Sequence, residues 1–309
     1  MQTVADVRNR KKLKIHKARI SSPWRDTLRA LRKNKLAMVS LIFLIIMCLF
    51  CFIGPFFSPY LSDNTDVVNM KQPPSASHWL GTDQLGRDVL TRLMLAGRIS
   101  LTVGIFSMIL SVLIGSLLGA ISGYYQGIVD QIIMRIADVF MSIPGLPLLL
   151  VLGAILSDWK VPSDYRIYVV MFMLSITGWP SLARLVRGEI LSLREQAYMQ
   201  AAEVLGLSDR RKILHHLLPN TIPLLIVVAT LSVGGTILSE SVLSFLGMGV
   251  IPPTPSWGNM IDSANSIIDF QKRPWLWIPP GVSIFLTVIA VNLFGEGLRD
   301  ALDPKQNGR

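Results

Sequence analysis

Charged side chains are scarce in this sequence, where they make up 16% of the residues. A typical soluble domain carries about 25%. Hydrophobic residues reach 51%, and the mean hydropathy is +0.48. They stand in long blocks, and a block of about 18 or more apolar residues can cross a bilayer as a helix. The scarcity of charge therefore argues against a soluble domain and predicts an all-α integral membrane protein.

Cysteine and histidine are rare as well. The two cysteines, Cys48 and Cys51, lie inside an apolar block, so we interpret them as small buried hydrophobic residues. The adjacent His215 and His216 would point about 100° apart on a helix and would not chelate one metal ion. We therefore expect no metal site.

Signatures of catalysis are also missing. No glycine is followed by lysine, which excludes a phosphate-binding loop of the Walker type. Neither a Gly-x-Ser-x-Gly elbow nor a His-Glu-x-x-His pair occurs, which disfavours a membrane enzyme. We expect no catalytic residue and no bound cofactor in this chain. If ATP and Mg²⁺ are used, another chain must bind them.

The net charge of +10 is concentrated near the N-terminus, where twelve of the 30 basic residues precede residue 36. We predict no nucleic-acid partner, because no aromatic residues interleave with a basic motif. A bilayer explains the same excess through the positive-inside bias. With six spans and the N-terminus inside, all but eight basic residues fall inside, so both termini are predicted to be cytoplasmic. We expect no cleavable signal peptide, because no small-residue cleavage site follows the first apolar block.

The apolar blocks divide the chain into a basic cytoplasmic tail, residues 1–35, and a transmembrane domain, residues 36–309. The tail contains an amphipathic helix that begins near Pro23 and either lies on the membrane surface or only flanks the first span. The third span is expected to tolerate Pro144 and Pro147. The six spans are placed at about 36–57, 99–122, 132–156, 166–183, 217–246 and 275–295.

Two features inside the spans suggest contacts. Gly115, Gly119 and Gly123 recur at every fourth position, a ridge that lets helices approach closely in lipid. Arg135 and Asp138 are expected to form a local pair.

An acidic residue at membrane depth, Glu240, is a functional candidate because burying a charge there is costly. It would act with Ser239 at a gate or in a pathway. Alternatively, it makes a structural hydrogen bond to a neighbouring helix.

The polar stretch 184–216 is predicted to be a cytoplasmic loop with a helix in its second half. Ala197, Ala201 and Val204 recur at i, i+4 and i+7, and Gly206 can end that helix in the left-handed conformation. Ser208 can begin a second short helix. A helix–turn–helix fixed between two spans suits insertion into a groove of a partner, although it could instead pack on its own bundle.

This stretch resembles the cytoplasmic loop motif of the permease subunits of ATP-binding-cassette (ABC) importers. That motif runs Glu-Ala-Ala, three residues, Gly, nine residues, Ile-x-Leu-Pro. Here Gln200 replaces the Glu and His216 replaces the Ile, while the spacing through Gly206 to Pro219 is kept. Four other segments resemble the peptide and nickel branch of these permeases, and in particular the dipeptide and oligopeptide "C" permeases. They are residues 80–90 (LGTDQLGRDVL), 243–247 (LSFLG), 252–258 (PPTPSWG) and 297–304 (GLRDALDP).

The resemblance implies a type I importer permease fold and a bacterial inner-membrane subunit without catalysis of its own. The implied partners are a homologous second permease, two cytoplasmic ABC ATPases and an extracytoplasmic substrate-binding protein. The helix 195–206 would be the coupling helix seated in an ATPase groove. The residues implied to couple to the ATPase are Tyr198, Gln200, Ala201, Ala202, Glu203, Leu205, Gly206 and Pro219.

The substrate implied is a di- or oligopeptide, with nickel or glutathione as alternatives within the same branch. An ion-coupled secondary transporter is the alternative from another class. It would need several charged residues at the membrane midplane and an inverted repeat. The sequence has one deep acid and no evident repeat.

Overall fold

The computed structural model describes residues 23–61 and 63–302, and regular structure in that part of the chain is helical. A π-helical turn, Lys212–Leu217, joins the eighth helix to the ninth. In chain order the α-helices are α1 (Pro23–Lys33), α2 (Lys35–Phe52), α3 (Val89–Tyr125), α4 (Gly127–Ser142), α5 (Gly145–Asp158), α6 (Ser163–Arg194), α7 (Ala197–Val204), α8 (Asp209–Arg211), α9 (Leu218–Phe245), α10 (Trp257–Asp262), α11 (Ile267–Lys272) and α12 (Ile278–Leu302).

Five segments of this bundle are helical, long and apolar enough to cross a membrane, and the bent pair α4–α5 is a sixth candidate. Large apolar side chains are exposed along the first of them, including Leu36, Val39 and Ile46. Such a continuous apolar surface is rare on a soluble monomer and suits lipid. The all-helical membrane fold predicted from composition is confirmed.

Contacts between helix ends show which way each helix runs. Leu31 of α1 and Ala301 of α12 lie in one apolar cluster, so the first span begins where the last one ends. At the opposite end, Arg98 of α3 donates to the Phe52 carbonyl at the end of α2, at 3.0 Å. We call these the terminus end and the loop end of the bundle. Helix α3 returns the chain to the terminus end at Tyr125.

The bent pair α4–α5 carries the chain back to the loop end. Helix α4 starts at the terminus end directly after α3, and Gly153 of α5 packs against Met248, just beyond α9. Helices α6, α9 and α12 supply three further traverses. The chain therefore runs the length of the bundle six times, and Pro23 and Leu302 lie on the same side.

The third span is not the single helix that we predicted over 132–156. Its halves, α4 and α5, are bent by 86°. Ile143 between them is extended, with φ −93° and ψ 126°. The residue before a proline avoids the helical region, so Pro144 breaks the span at this point.

The fourth span is longer than the predicted 166–183. Helix α6 continues through Pro180 and includes residues 184–194, which we had assigned to the loop. The arginines that suggested a loop pair with carboxylates of α4: Arg184 with Asp138 at 2.5 Å and Arg187 with Asp130 at 2.5 Å. The predicted Arg135–Asp138 pair is therefore wrong, because Asp138 reaches across to α6.

Three other boundaries also shift. The first span ends at Phe52, and a 3₁₀ turn over Gly54–Phe57 replaces its predicted last residues. The second begins at Val89 rather than near 99, because the Asp88 carboxylate caps it by accepting from the Thr91 N–H at 2.8 Å. Helix α12 extends to Leu302. The fifth span, α9, lies close to its predicted position.

The N-terminal helix α1 is separate from the first span. The Asn34 side chain accepts from the Ala37 N–H at 3.2 Å and starts α2, while Leu31 packs beside α12. Residues 1–22 of the predicted tail, and 303–304 of the last motif, lie outside the described residues.

The two cysteines differ in burial. Cys51 is buried in the core beside Gly97, as predicted, whereas Cys48 on the same helix is exposed. The described residues include no group of three side chains suited to a metal ion.

The glycine ridge of α3 lies where this helix meets α6. A Cβ on Gly115 would come within 3.0 Å of the Trp179 carbonyl oxygen, and one on Gly123 within 2.9 Å of the Arg187 oxygen. The missing side chains allow the two backbones this close approach, as the spacing predicted.

Two connecting segments pack on each other at the loop end. Lys71 pairs with Asp269 of α11 at 3.0 Å, and the Trp275 indole donates to the Thr82 carbonyl at 3.3 Å. Burial raises the pKa of the Asp269 carboxyl, but hydrogen bonds from Lys71 and Arg273 outweigh burial, and the pKa lies below its ordinary value. The segment over 58–88 thus caps the bundle.

Candidate functional site

The segment 195–208 between α6 and α8, which we call the α7 segment, has a defined turn at each end. Gln196 is extended before α7, and Gly206 follows it with φ +69°. The Gly206 N–H donates to the Glu203 carbonyl at 2.9 Å, and the Leu207 N–H to the Ala202 carbonyl at 3.1 Å. These two bonds form a Schellman motif, so the chain stops and reverses at the predicted glycine.

Helix α7 has one side buried and one side exposed. Met199 and Ala202, three residues apart, are both buried, and Met199 belongs to an apolar cluster. The other buried members of that cluster are Ala120, Val186, Ile190, Ile213 and Leu217. Ala202 thus faces its own bundle, unlike the rest of the predicted contact set in α7.

The remaining predicted contact residues of α7 are brought together on its outer side. All are exposed: Tyr198, Gln200, Ala201, Glu203, Leu205 and Gly206. The most exposed apolar side chains are Val204 and Leu205, at 88% and 76%. An apolar tip of this kind on a helix held firmly on its other side is suited to a protein partner.

Pro219 lies away from α7, exposed in the first turn of α9, where proline breaks no helical hydrogen bond. Ser208 starts α8 as predicted, although its side chain makes no capping hydrogen bond. Instead its carbonyl accepts from the Arg211 and Lys212 N–H groups, at 2.9 and 3.0 Å.

One residue that the sequence did not single out, Tyr124 near the end of α3, touches both ends of the α7 segment. Its hydroxyl donates to Asp209 at 2.6 Å, and its carbonyl accepts from Arg194 at 3.0 Å. Lys212 lies 3.1 Å from Asp209 and 5.5 Å from the Tyr124 ring centre. These partners are 70 to 88 positions away in the sequence, so local patterns could not reveal them.

A charged recess opens between α4 and α6, with a volume of about 710 Å³. The Arg187–Asp130 and Arg184–Asp138 pairs line it, and Arg135 is also exposed there. The Ser122 hydroxyl also donates to Asp130, so the pair is tied to the end of α3. The sequence shows that these charged residues lie next to apolar segments, which could have pointed to this recess. It does not show which residues pair across α4 and α6.

Glu240 is fully buried in α9. It accepts from the Ser244 hydroxyl at 2.7 Å and from the Ser100 hydroxyl of α3 at 2.8 Å. Within the described residues it has no ion pair. This geometry supports the structural alternative for Glu240, while Ser239 beside it is half-buried and its hydroxyl donates to the Gly235 carbonyl at 2.9 Å. A gate or pathway role for either residue stays a prediction.

Comparison with known proteins gives two family matches. Residues 115–308 match the family described as binding-protein-dependent transport system inner membrane component. Residues 22–74 match the N-terminal TM domain of oligopeptide transport permease C. The first match includes the α7 segment, the charged recess and Glu240.

Among curated relatives is the glutathione transport system permease protein GsiD of Shigella dysenteriae serotype 1 (strain Sd197). It is 39% identical over 290 residues, which is 94% of this chain and 93% of the relative. GsiD of Escherichia coli O157:H7 has the same identity over the same shares of the two chains.

Proposed function

This chain belongs to the family of binding-protein-dependent transport system inner membrane components, and from that membership we propose that it forms half of a peptide translocation pathway. It is an ABC importer permease of the oligopeptide branch, a multi-pass inner-membrane protein that is not an enzyme. Permease subunits of this kind bind no cofactor, and membership implies ATPase and binding-protein partners in a complex. The substrate, the site of ATPase docking and the orientation belong to the proposal.

The terminus end of the bundle faces the cytoplasm in this proposal. Most of the basic residues that the structure describes fall at that end, including the exposed Arg32 and Lys33 of α1. Cytoplasmic flanks carry the excess of lysine and arginine. This orientation places the α7 segment where cytoplasmic ATPases can reach it.

The observation that carries the docking proposal is the two-sided environment of α7. Met199 and Ala202 fix the helix to the bundle, while Val204 and Leu205 project an apolar tip away from it. A helix seated in an ATPase groove by that tip would transmit the closure of the ATPases to the spans. Alternating access would follow as a rigid movement of helices around the pathway.

The charged recess supports a second, homologous permease as the other half of the pathway. Charged side chains in membrane helices face protein or a water-filled cavity, because exposure to lipid is costly. Asp138 and Arg184 are half-exposed in the isolated subunit. A partner permease covering α4 and α6 would provide the protein or aqueous surface that these groups need.

Small peptides are the substrate class that the branch favours, because the N-terminal region matches a domain of oligopeptide permeases. Glutathione is the second candidate, since the relatives named above are glutathione permeases at 39% identity. Glutathione is itself a tripeptide, so both candidates require a pathway for a small zwitterion. Nickel is the remaining alternative of the branch.

Reconstitution tests the proposal directly. The chain is expressed with the proteins encoded beside it, and the purified complex is placed in proteoliposomes. We expect co-purifying ATPases whose activity rises with the binding protein and a di- or oligopeptide. Stimulation by glutathione alone would select the second candidate, and stimulation by Ni²⁺ alone would select the third. If no ATPase co-purifies, the central proposal is wrong.

A substitution at Gly206 tests the docking role. No atom lies within 4 Å of a Cβ built at this glycine, so Gly206→Asp fits the isolated subunit, with a cost of about 1–2 kcal/mol for its positive φ. We expect it to abolish transport while membrane insertion is unchanged, because a charged side chain would enter the ATPase groove. The measurements are peptide uptake and the amount of chain in the membrane.

Ser208→Asp is the matched control for Gly206→Asp. It adds the same charge two residues on, at the start of α8, where aspartate is a favourable first residue. Uptake should stay at the wild-type level. Normal uptake in Gly206→Asp as well would refute the docking role.

A further inference from the structure

We propose that Tyr124 is a positioning residue for transport, which latches both ends of the α7 segment to α3 so that they move together. This inference rests on the proposed function, because it assumes that ATPases displace the α7 segment. Tyr124 itself touches neither substrate nor ATPase in this proposal. Its role is to pass a displacement from the segment to a membrane-crossing helix.

The contacts of Tyr124 form a latch with two sides. On the side where the segment begins, Arg194 ends α6, donates to the Tyr124 carbonyl at 3.0 Å and lies 5.7 Å from the centre of its ring. On the side where the segment ends, Asp209 starts α8 and accepts from the Tyr124 hydroxyl at 2.6 Å. A single residue of α3 therefore meets the chain just before and just after α7.

The chemistry of the latch favours the arrangement in which the Tyr124 hydroxyl donates to Asp209. A phenol that donates to a carboxylate makes a charge-assisted hydrogen bond, which is shorter and stronger than one between neutral groups. Lys212 pairs with that same carboxylate and also approaches the ring face, where cations are attracted. The hydroxyl thus joins α3 to a charge pair that already fixes the first turn after the segment.

Helix α3 is suited to carry a displacement across the bundle. It runs over 37 residues from Tyr125 to Val89 without a break. Its glycine ridge packs closely on α6, and at the loop end Ser100 bonds to Glu240 of α9. A movement of the terminus end of α3 would therefore displace both α6 and α9.

The test compares two adjacent tyrosines in the reconstituted complex. Tyr124→Phe removes the hydroxyl bond and keeps the ring, whereas Tyr125→Phe removes a hydroxyl that has no hydrogen bond among the described residues. Tyr125 is half-exposed and meets the Tyr124 ring edge to face. The readouts are ATP hydrolysed per peptide imported, basal ATP hydrolysis and the amount of ATPase retained.

We expect Tyr124→Phe to raise the ATP hydrolysed per peptide about threefold, the effect of losing one partly exposed charged contact. ATPase retention and basal hydrolysis should be unchanged, and Tyr125→Phe should match the wild type in every readout. Asp209→Ala should raise the ratio at least as much, because it also removes the Lys212–Asp209 pair. The double variant should be no worse than Asp209→Ala alone, because that variant has already lost the hydroxyl bond.

Two outcomes would overturn the latch. One is an unchanged ratio of ATP to peptide in Tyr124→Phe. The other is loss of bound ATPase from that variant, which would make Tyr124 a simple stability residue. Absence of transport by the wild-type complex is a different result, because it contradicts the proposed function before any variant is compared.

Discussion

At the scale of single residues, Glu240 shows how one buried acid organises a connection between helices. The Ser100 hydroxyl that donates to it also accepts from the Trp257 N–H at 3.2 Å, and the Ser244 hydroxyl accepts from the Val250 N–H at 2.9 Å. Each serine hydroxyl thus donates its proton to Glu240 and accepts a hydrogen bond from a backbone N–H of the chain that follows α9. The acid thereby fixes the loop after α9 against α3.

This geometry predicts different results for two substitutions of Glu240. Glu240→Ala leaves the Ser100 and Ser244 hydroxyls without an acceptor and should destabilise the protein by about 2 kcal/mol. Glu240→Gln keeps an acceptor oxygen for one of the two serines, so it should destabilise the protein less than Glu240→Ala and transport nearly normally. Thermal unfolding in detergent and peptide uptake are the measurements. A Glu240→Gln variant that folds but does not transport would instead support the gate or pathway role.

Ser239→Ala is the control for these variants. Ser239 is half-buried next to Glu240, and its hydroxyl donates to the Gly235 carbonyl of its own helix at 2.9 Å. We expect no measurable change in its unfolding temperature. A selective loss of uptake in this variant would place Ser239 on the pathway.

At the scale of helices, the sequence predicted which segments are apolar better than where helices break. Pro180 and Pro144 are both prolines in apolar blocks, yet α6 continues through the first and the third span breaks at the second. The difference comes from neighbours: α6 lies against the glycine ridge of α3 along its length, and its arginines pair with carboxylates of α4. Such tertiary support is invisible in a local pattern.

The same reasoning explains what was predictable in the candidate site. The turn at Gly206 follows from local chemistry, so its position agrees with the sequence prediction, and Ser208 starts α8 as predicted although without the side-chain cap. The burial of Met199 and the latch at Tyr124 depend on helices distant in the sequence. Periodicity alone could not say which side of α7 faces the bundle.

The glycine ridge of α3 predicts that substitutions on the side facing α6 destabilise the protein more than substitutions on the exposed side. A side chain at Gly119 would meet the Ala183 backbone oxygen, so Gly119→Leu must push two helices apart. Overpacking of this kind costs about 1–3 kcal/mol. We expect a lowered unfolding temperature, measured on purified protein in detergent.

Leu117→Ala on the exposed side of the same helix is the matched control. Leu117 is 48% exposed in the isolated subunit, so its removal opens no cavity. Its unfolding temperature should stay close to that of the wild type. Equal destabilisation by both variants would contradict the close packing of α3 on α6.

The packing of the two loop-end segments predicts an acid dependence. Burial opposes ionisation of Asp269, but bonds from Lys71 and Arg273 lower its pKa below the ordinary value. A carboxyl with a lowered pKa in the folded state adds stability above its unfolded value, about pH 4, and loses it as the pH falls further. The loop end should therefore stay closed at pH 6 and loosen only below pH 4.

Hydrogen exchange of residues 66–88 and 263–277 between pH 3 and pH 6 measures this loosening. The Asp269→Asn variant should exchange faster at pH 6 and depend less on pH, because it cannot ionise. Unchanged exchange at pH 6 would mean that the Lys71–Asp269 pair does not hold the two segments together.

At the scale of the whole molecule, the direction of the bent pair decides the topology. If α4–α5 did not cross, α6 would run away from the end that holds Tyr124 and could not place Arg194 beside it. The bond of 3.0 Å between Arg194 and the Tyr124 carbonyl therefore requires an even number of traverses before the α7 segment. Composition alone leaves the count at five or six.

Single cysteines test this topology in intact cells. Because Cys48 is exposed and Cys51 is buried, both are first replaced by alanine. Trp159→Cys, at the turn after α5, should react with a membrane-impermeant maleimide added outside, since Trp159 is 72% exposed at the loop end. Ser208→Cys should react only after the membrane is permeabilised, because the α7 segment lies at the opposite end. The reverse pattern, in which Ser208→Cys is labelled from outside and Trp159→Cys only after permeabilisation, would show that α4–α5 is re-entrant, and it would remove the α7 segment from the reach of cytoplasmic ATPases.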